Sequence, residues 1–237
     1  MIARHSSRLL ASAVAAALGV AAGVLVSAIP AAAAEPCPDV QVVFARGTDD
    51  PPGLGPTGQA FVDSLHSRIN AKSFDVYAVD YPATHDWTSA GEAGVRDAGA
   101  HVLSMAHDCP NTKMVLGGYS QGAAVMGFVT SPVVPNGIDP AAVPKPLEPE
   151  VANHVSSVVL FALPNEKAMN FFNEPPVVIG PLYQAKTIQV CAAQDPICSD
   201  GMNFAAHDTY STNMAVIDQG AAFAASRLGG GSGGGSM

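Results

Sequence analysis

Charged side chains are scarce. They make up 13% of the 237 residues, and Lys and Arg, 11 in all, are outnumbered by 20 Asp and Glu, for a formal net charge of −9. A chain this poor in cations lacks the basic patch that nucleic acid requires and has nothing to dock electrostatically on anionic lipid. The expected partner is therefore neutral or held by apolar contacts. There is no Gly-x-Gly-x-x-Gly fingerprint for a dinucleotide, no internal repeat and no run of like charge. No motif implies a metal or an organic cofactor.

What the chain does contain begins with an export signal. Residues 1–34 carry Arg4 and Arg8 with no acid, an alanine-rich apolar stretch from Leu9, and Ala31 to Ala34 as small residues for a peptidase. Leu9 to Ile29 nearly reaches the length of a membrane span. Alanine is only weakly apolar, however, and cleavage after Ala33 or Ala34 is the expectation. Removing Arg4 and Arg8 takes the formal charge from −9 to −11. At the other end, residues 229–237 are Gly and Ser apart from the final Met, and read as a flexible tail. Residues 35–228 remain, enough for one single-core domain and short for two.

Four cysteines, Cys37, Cys109, Cys191 and Cys198, lie in that domain. An even count in an exported chain suggests disulfides, with three connectivities open. Cys191 with Cys198 would close a short loop and leave Cys37 with Cys109, worth about 2.5 and 4.4 kcal/mol in the chain-entropy view. The Cys-x6-Cys spacing is not a usual zinc pattern.

Apolar runs alternate with helical patterns. Strands are expected at Val40–Ala45, Phe74–Val79, Lys113–Gly118, Val155–Leu160 and Lys186–Cys191. Helices are expected at Gly58–Ile69, Gly91–His107, Gln121–Val129 and about Ser211–Arg227. Strands apolar on both faces and separated by helices predict a three-layer α/β/α sandwich around a parallel sheet, with ligands at the carboxyl ends of the strands. Ser131 to Asn153, with six prolines, reads as an irregular excursion expected to pack over the sheet edge. Pro164 to Pro181 offers Met169, Phe171 and Phe172 for an apolar wall.

Gly118-Tyr119-Ser120-Gln121-Gly122 falls between the third strand and its helix, the context of a nucleophile elbow. A serine hydroxyl needs a neutral imidazole to take its proton, and the imidazole needs a carboxylate to fix its tautomer. After Ser120 only His154 and His207 remain. His154 precedes a strand and so sits at the wrong end of the sheet, which leaves His207. For the acid, Asp195 follows the last strand inside Cys191 to Cys198; Asp200 and Asp208 lack that bracket. Oxyanion donors are expected from the backbone of Gln121 and from Thr48, in Phe44-Ala45-Arg46-Gly47-Thr48 at the end of the first strand. Arg46 is assigned a structural role. Each residue also has a plainer reading: Asp-Pro is a common turn former, and a histidine near a helix start can merely cap it.

Together these residues resemble the cutinase family, in its actinobacterial cutinase-like branch. The match covers Cys37 to about Leu228 and is most specific at Cys191-x3-Asp195-x2-Cys198 followed by His207. The resemblance implies a compact α/β-hydrolase fold with five parallel strands, and Ser120 as nucleophile, His207 as base and Asp195 as orienter. It also implies Thr48 and Gln121 as the oxyanion hole, and Cys37–Cys109 and Cys191–Cys198 disulfides. Thr48 departs from the family's more usual serine but keeps the hydroxyl. The proline-rich excursion is longer than the compact fungal pattern, which leaves an open, lidless site in question. Trp87, Phe172, Met202 and Phe204 are candidates for acyl contacts.

The expected protein is a secreted, monomeric carboxylic-ester hydrolase acting on short- to medium-chain acyl esters, with a lipid interface or the cell envelope as its setting. Acetylxylan esterase, phospholipase and thioesterase activities on the same triad stay open. So does a surface interaction protein whose site is vestigial.

Overall fold

The structure, a computed structural model, describes residues 36–229. The export signal read at 1–34 and all but the first residue of the Gly/Ser tail lie outside the described residues. Strands β1 (Val40–Ala45), β2 (Phe74–Ala78), β3 (Lys113–Tyr119), β4 (Val155–Phe161) and β5 (Thr187–Val190) form one parallel sheet in the order β2-β1-β3-β4-β5. The helices among the described residues are α1 (Gly55–His66), α2 (Trp87–Asp108), α3 (Gln121–Val129), α4 (Glu166–Phe171), α5 (Pro181–Gln184), α6 (Phe204–His207) and α7 (Met214–Arg227). A 3-10 turn at Pro149–His154 leads into β4.

The period-two geometry of a strand divides the apolar runs between two cores. Val42 and Phe44 of β1, Val115 of β3, and Val159 and Phe161 of β4 pack with Phe61 and Leu65 of α1 and Ile217 of α7. Their neighbours Val43, Leu116, Val158 and Leu160 pack with Val95, Ala98 and Val102 of α2 and Val125 of α3. All these side chains are buried, and each Val, Leu, Ile and Phe among them contributes about 1.5–3 kcal/mol on leaving water. The sheet is therefore covered on both faces, and the three-layer sandwich is the one the sequence implies.

Strand order places the functional end. From β1 the chain goes outward to the edge strand β2, then returns past β1 to β3, so successive crossovers leave β1 in opposite directions. The carboxyl ends of β1 and β3 are where such a reversal leaves room for a ligand.

Local chemistry explains where the element boundaries differ from expectation. Helix α1 starts at Gly55 because Pro56, lacking an N–H, is tolerated in a first turn. Helix α2 starts at Trp87, four residues earlier than expected, because the Asp86 carboxylate accepts from the Ser89 N–H at 3.3 Å. The unanticipated α4 is capped in the same way by Asn165, whose Oδ1 accepts from Ala168 N at 2.9 Å. The proline-rich segment does not simply pack over the sheet edge. Its residues 131–147 lie along α2 and α3, where the Arg96 guanidinium donates to the carbonyl of Ala142.

Two disulfides join Cys37 to Cys109 and Cys191 to Cys198. The first fastens the start of the domain to the end of α2 across 72 residues of chain; the second spans 7. Replacing Cys37 and Cys109 together with serine should lower unfolding free energy by about 4 kcal/mol, against about 2.5 for the Cys191–Cys198 pair. Denaturant midpoints of the two double variants check the ranking.

Candidate active site

Ser120 stands between β3 and α3 with φ 53° and ψ −116°, in the left-handed half of conformational space. For a non-glycine residue this costs on the order of 1–3 kcal/mol and is typically kept at functional sites. Its neighbours show what the turn demands. A Cβ on Gly118 would lie 2.2 Å from the carbonyl oxygen of Gly122, and one on Gly122 would lie 2.0 Å from that of Ala45. Only glycine fits at either place, so the elbow presses against the end of β1. The Ser120 N–H donates to the Phe161 carbonyl at 2.9 Å, which ties the turn to β4 as well.

His207 ends α6, and its Nε2 lies 2.9 Å from Ser120 Oγ while its Nδ1 lies 2.9 Å from Asp195 Oδ2. An ionised carboxylate can only accept, so Nδ1 carries the proton and Nε2 is free to accept from the serine hydroxyl. Asp195 is fully buried. Burial by itself raises its pKa, but hydrogen bonds from His207, from the Ile197 N–H at 2.9 Å and from the Tyr210 hydroxyl at 2.9 Å outweigh burial. They hold the carboxyl below its ordinary value. The arrangement can move a proton from Ser120 to an imidazole whose positive form is met by a fixed negative charge.

The alternatives fall elsewhere. His154 sits at the amino end of β4 against the Pro110 carbonyl, and Asp200 is an exposed partner of Lys167. Asp208 is exposed, next to His207.

Two tyrosines were not anticipated. Tyr210, three residues beyond His207, donates to Asp195 and accepts from the Ala192 N–H at 2.8 Å. The Tyr119 ring stacks against the His207 ring, centroids 5.3 Å apart, and its hydroxyl donates to the His207 carbonyl. Their adjacency to His207 and Ser120 was the one available signal. Tyrosine at such positions is common enough in a core to pass unnoticed.

Thr48 lies in the β1–α1 loop, which is fixed from within. The Arg46 guanidinium is buried and donates to the carbonyls of Tyr81 (2.6 Å) and Asp50 (3.0 Å), and Asp50 Oδ2 accepts from the Gly47 N–H at 2.9 Å. Thr48 Oγ1 is buried without a hydrogen-bond partner. Gln121, at the start of α3, has its side-chain Nε2 occupied by the Thr84 carbonyl at 2.8 Å.

The candidate acyl contacts separate into two groups. Trp87 and Phe172 stack face to face at 4.0 Å, with Met169 and Ala124 packed around them. Met202 and Phe204, just before His207, are largely exposed, as is Phe171 beside Phe172. Cys191, Asp195 and Cys198 bring potential metal-binding atoms close together. The two sulfurs are bonded to each other and offer no thiolate.

A strained serine at the carboxyl edge of a parallel sheet, joined through histidine to a buried aspartate, has the layout of the α/β-hydrolase class. The Cutinase family pattern matches residues 36–228. Probable carboxylesterase Culp5 of Mycobacterium tuberculosis is 54% identical over 169 residues, 71% of this chain and 95% of that one. Phospholipase Culp4 of the same organism is 43% identical over 223 residues, 94% of this chain and 93% of that one. A solved acetylxylan esterase superposes with a TM-score of 0.66 at 27% identity, over 82% of this chain and all of that one. The chain belongs to the cutinase family and is a carboxylic-ester hydrolase.

Replacing Tyr210 with phenylalanine removes one of the donors that hold the Asp195 carboxyl low, so the Asp195–His207 pair should take up its proton at higher pH. The acid limb of the rate profile is expected to move to higher pH, with turnover reduced about tenfold at neutrality, the effect of roughly 1.4 kcal/mol. A pH–rate profile of Tyr210→Phe with an unshifted acid limb would leave the tyrosine a packing role only.

Proposed function

We propose that the protein is an exported serine esterase in which Ser120 is the nucleophile, His207 the general base and acid, and Asp195 the residue that orients His207. Ser120 Oγ attacks the ester carbonyl while His207 Nε2 takes its proton. The tetrahedral oxyanion is met by the Gln121 N–H and by Thr48. Collapse breaks the ester bond, the alcohol leaves with the proton from Nε2, and the acyl group stays on Ser120. Water then attacks the acyl-enzyme, giving its proton to Nε2, and the second collapse releases the acid and restores the serine hydroxyl.

The observation that carries this reading is the pair of 2.9 Å contacts through His207, from Ser120 on one side to a fully buried Asp195 on the other. The unpartnered Thr48 hydroxyl supports the oxyanion role, since it is a buried donor without an acceptor. A purely interacting surface protein would have no use for the strained backbone of Ser120 or for a desolvated carboxylate.

The substrate is read as a neutral acyl ester of short to medium chain, met by a monomer. Exposed Phe171, Met202 and Phe204 provide an apolar rim that suits a lipid or polyester surface better than a carbohydrate. Among the alternatives, this rim favours phospholipase over acetylxylan esterase activity. Export is supported by the two disulfides. No helix among the described residues is long and apolar enough to cross a membrane.

Hydrolysis of p-nitrophenyl butyrate tests the assignment. Ser120→Ala should reduce turnover by at least about ten-thousand-fold while the melting curve stays that of a folded protein. Comparable turnover in wild type and Ser120→Ala would remove Ser120 from the mechanism.

A further inference from the structure

Tyr119 is the last residue of β3 and stands immediately before the nucleophile. Side chains alternate along a strand, so Tyr119 shares the α1 and α7 side of the sheet with Val115, while Leu116 faces α2 and α3. On that side it meets His207.

His207 is poorly held by its own helix. α6 is a single turn, too short to be stable by itself. The last carbonyls of a helix find no partner within it, and among the described residues no backbone N–H donates to the carbonyl of His207. The Tyr119 hydroxyl supplies the missing donor. Burial, together with the carboxylates of Asp208, Asp50 and Asp195, raises the pKa of Tyr119, so its hydroxyl keeps its proton and remains a donor at neutral pH.

The ring makes a separate contact. It lies stacked on the imidazole, with centroids 5.3 Å apart and planes 26° from parallel. An aromatic face attracts a cation that lies within about 6 Å of its centroid, and the imidazole becomes a cation each time it takes the serine's proton. Tyr210 meets the same imidazole at 71° and 6.1 Å, so the stacked face is that of Tyr119 alone. The Tyr119 ring is itself braced. A Cβ on Gly47 would lie 2.7 Å from its Cδ1, which puts the loop after β1 against one edge, and the Tyr210 ring lies 5.2 Å away.

We propose that Tyr119 is a positioning residue for the base: its hydroxyl fixes the backbone of His207, and its ring favours the imidazolium that forms during the reaction. The proposal rests on His207 as the general base. It gives the residue before the nucleophile a part that is exerted through the histidine.

Two substitutions separate the roles. Tyr119→Phe keeps the ring and loses the donor. Tyr119→Leu loses both, and Tyr119→Met, a more adaptable filler, repeats the test where leucine packs badly. Each variant is followed by kcat and KM for p-nitrophenyl butyrate and by NMR titration of the His207 ring, assigned from its absence in His207→Asn. In Tyr119→Phe, kcat should fall about fivefold, the effect of one hydrogen bond, with KM within about twofold and the imidazole titrating as in wild type. In Tyr119→Leu the imidazole should take up its proton at lower pH, by about half a pH unit or more, and kcat should fall at least about tenfold.

The direction of that shift separates charge from packing. The other groups that act on this pair of rings are Ser120, Asp195, Tyr210 and Asp208, with Asp50 and Arg46 of the loop after β1, and both substitutions leave them in place. Water entering a looser site would instead make the imidazole easier to charge and move its titration to higher pH. Wild-type kcat in Tyr119→Phe would overturn the role of the hydroxyl. An imidazole that titrates at the same or higher pH in Tyr119→Leu and Tyr119→Met would overturn the role of the ring. Turnover that survives His207→Asn would overturn the base itself, and the titration would still decide whether the ring favours the charged imidazole.

Discussion

The functional end of this protein depends on keeping one carboxylate charged where no water reaches it. Asp195 is fully buried, and an unpaired charge there would cost several kcal/mol and neutralise itself by taking up a proton. Three donors from three places prevent that: the Ile197 N–H within its own loop, the Tyr210 hydroxyl, and His207 Nδ1 at the end of α6. The Cys191–Cys198 disulfide brackets the loop, and Tyr210 is itself fixed by the Ala192 N–H. With the charge in place, the tautomer of His207 follows, and with it the direction in which a proton can leave Ser120. Depressing the pKa of Asp195 also has a stability consequence. The contribution of this group is present above its unfolded pKa and is lost as pH falls through the lower folded value.

The second constraint is steric. The elbow can lie against the end of β1 only because Gly118 and Gly122 carry no side chain, and a Cβ on Gly122 would run into the carbonyls of Ala45 and Arg46. Arg46 supports the loop after β1 from beneath, with its guanidinium spent on the carbonyls of Tyr81 and Asp50. The buried cation thus holds backbone in place at the end of β1.

Much of this was legible in the residues themselves. The alternation of apolar strands and helices specified a covered parallel sheet, and the order of Ser120, Asp195 and His207, each after a strand, specified which side chains meet. The helix starts were less legible, because Asp86 and Asn165 act as caps through single side-chain contacts that periodicity does not register. Tyr210 was invisible for a related reason: its importance lies in a hydrogen bond across the fold, and nothing in its local sequence distinguishes it from a core tyrosine. The proline-rich segment is legible as irregular, but its position is not. Proline excludes helix and central strand without saying where the chain goes. Here it goes over α2 and α3.

The central claim is that Ser120 takes the acyl group of an ester while His207 takes the serine's proton. Its most direct measurement is a rapid-quench mixture of enzyme and p-nitrophenyl butyrate examined by peptide mass spectrometry. The account predicts a transient increase equal to one butyryl group on the peptide containing Ser120, formed in step with a burst of p-nitrophenol and absent in His207→Ala. A burst with no butyryl group on that peptide, or an adduct on another residue, would contradict it.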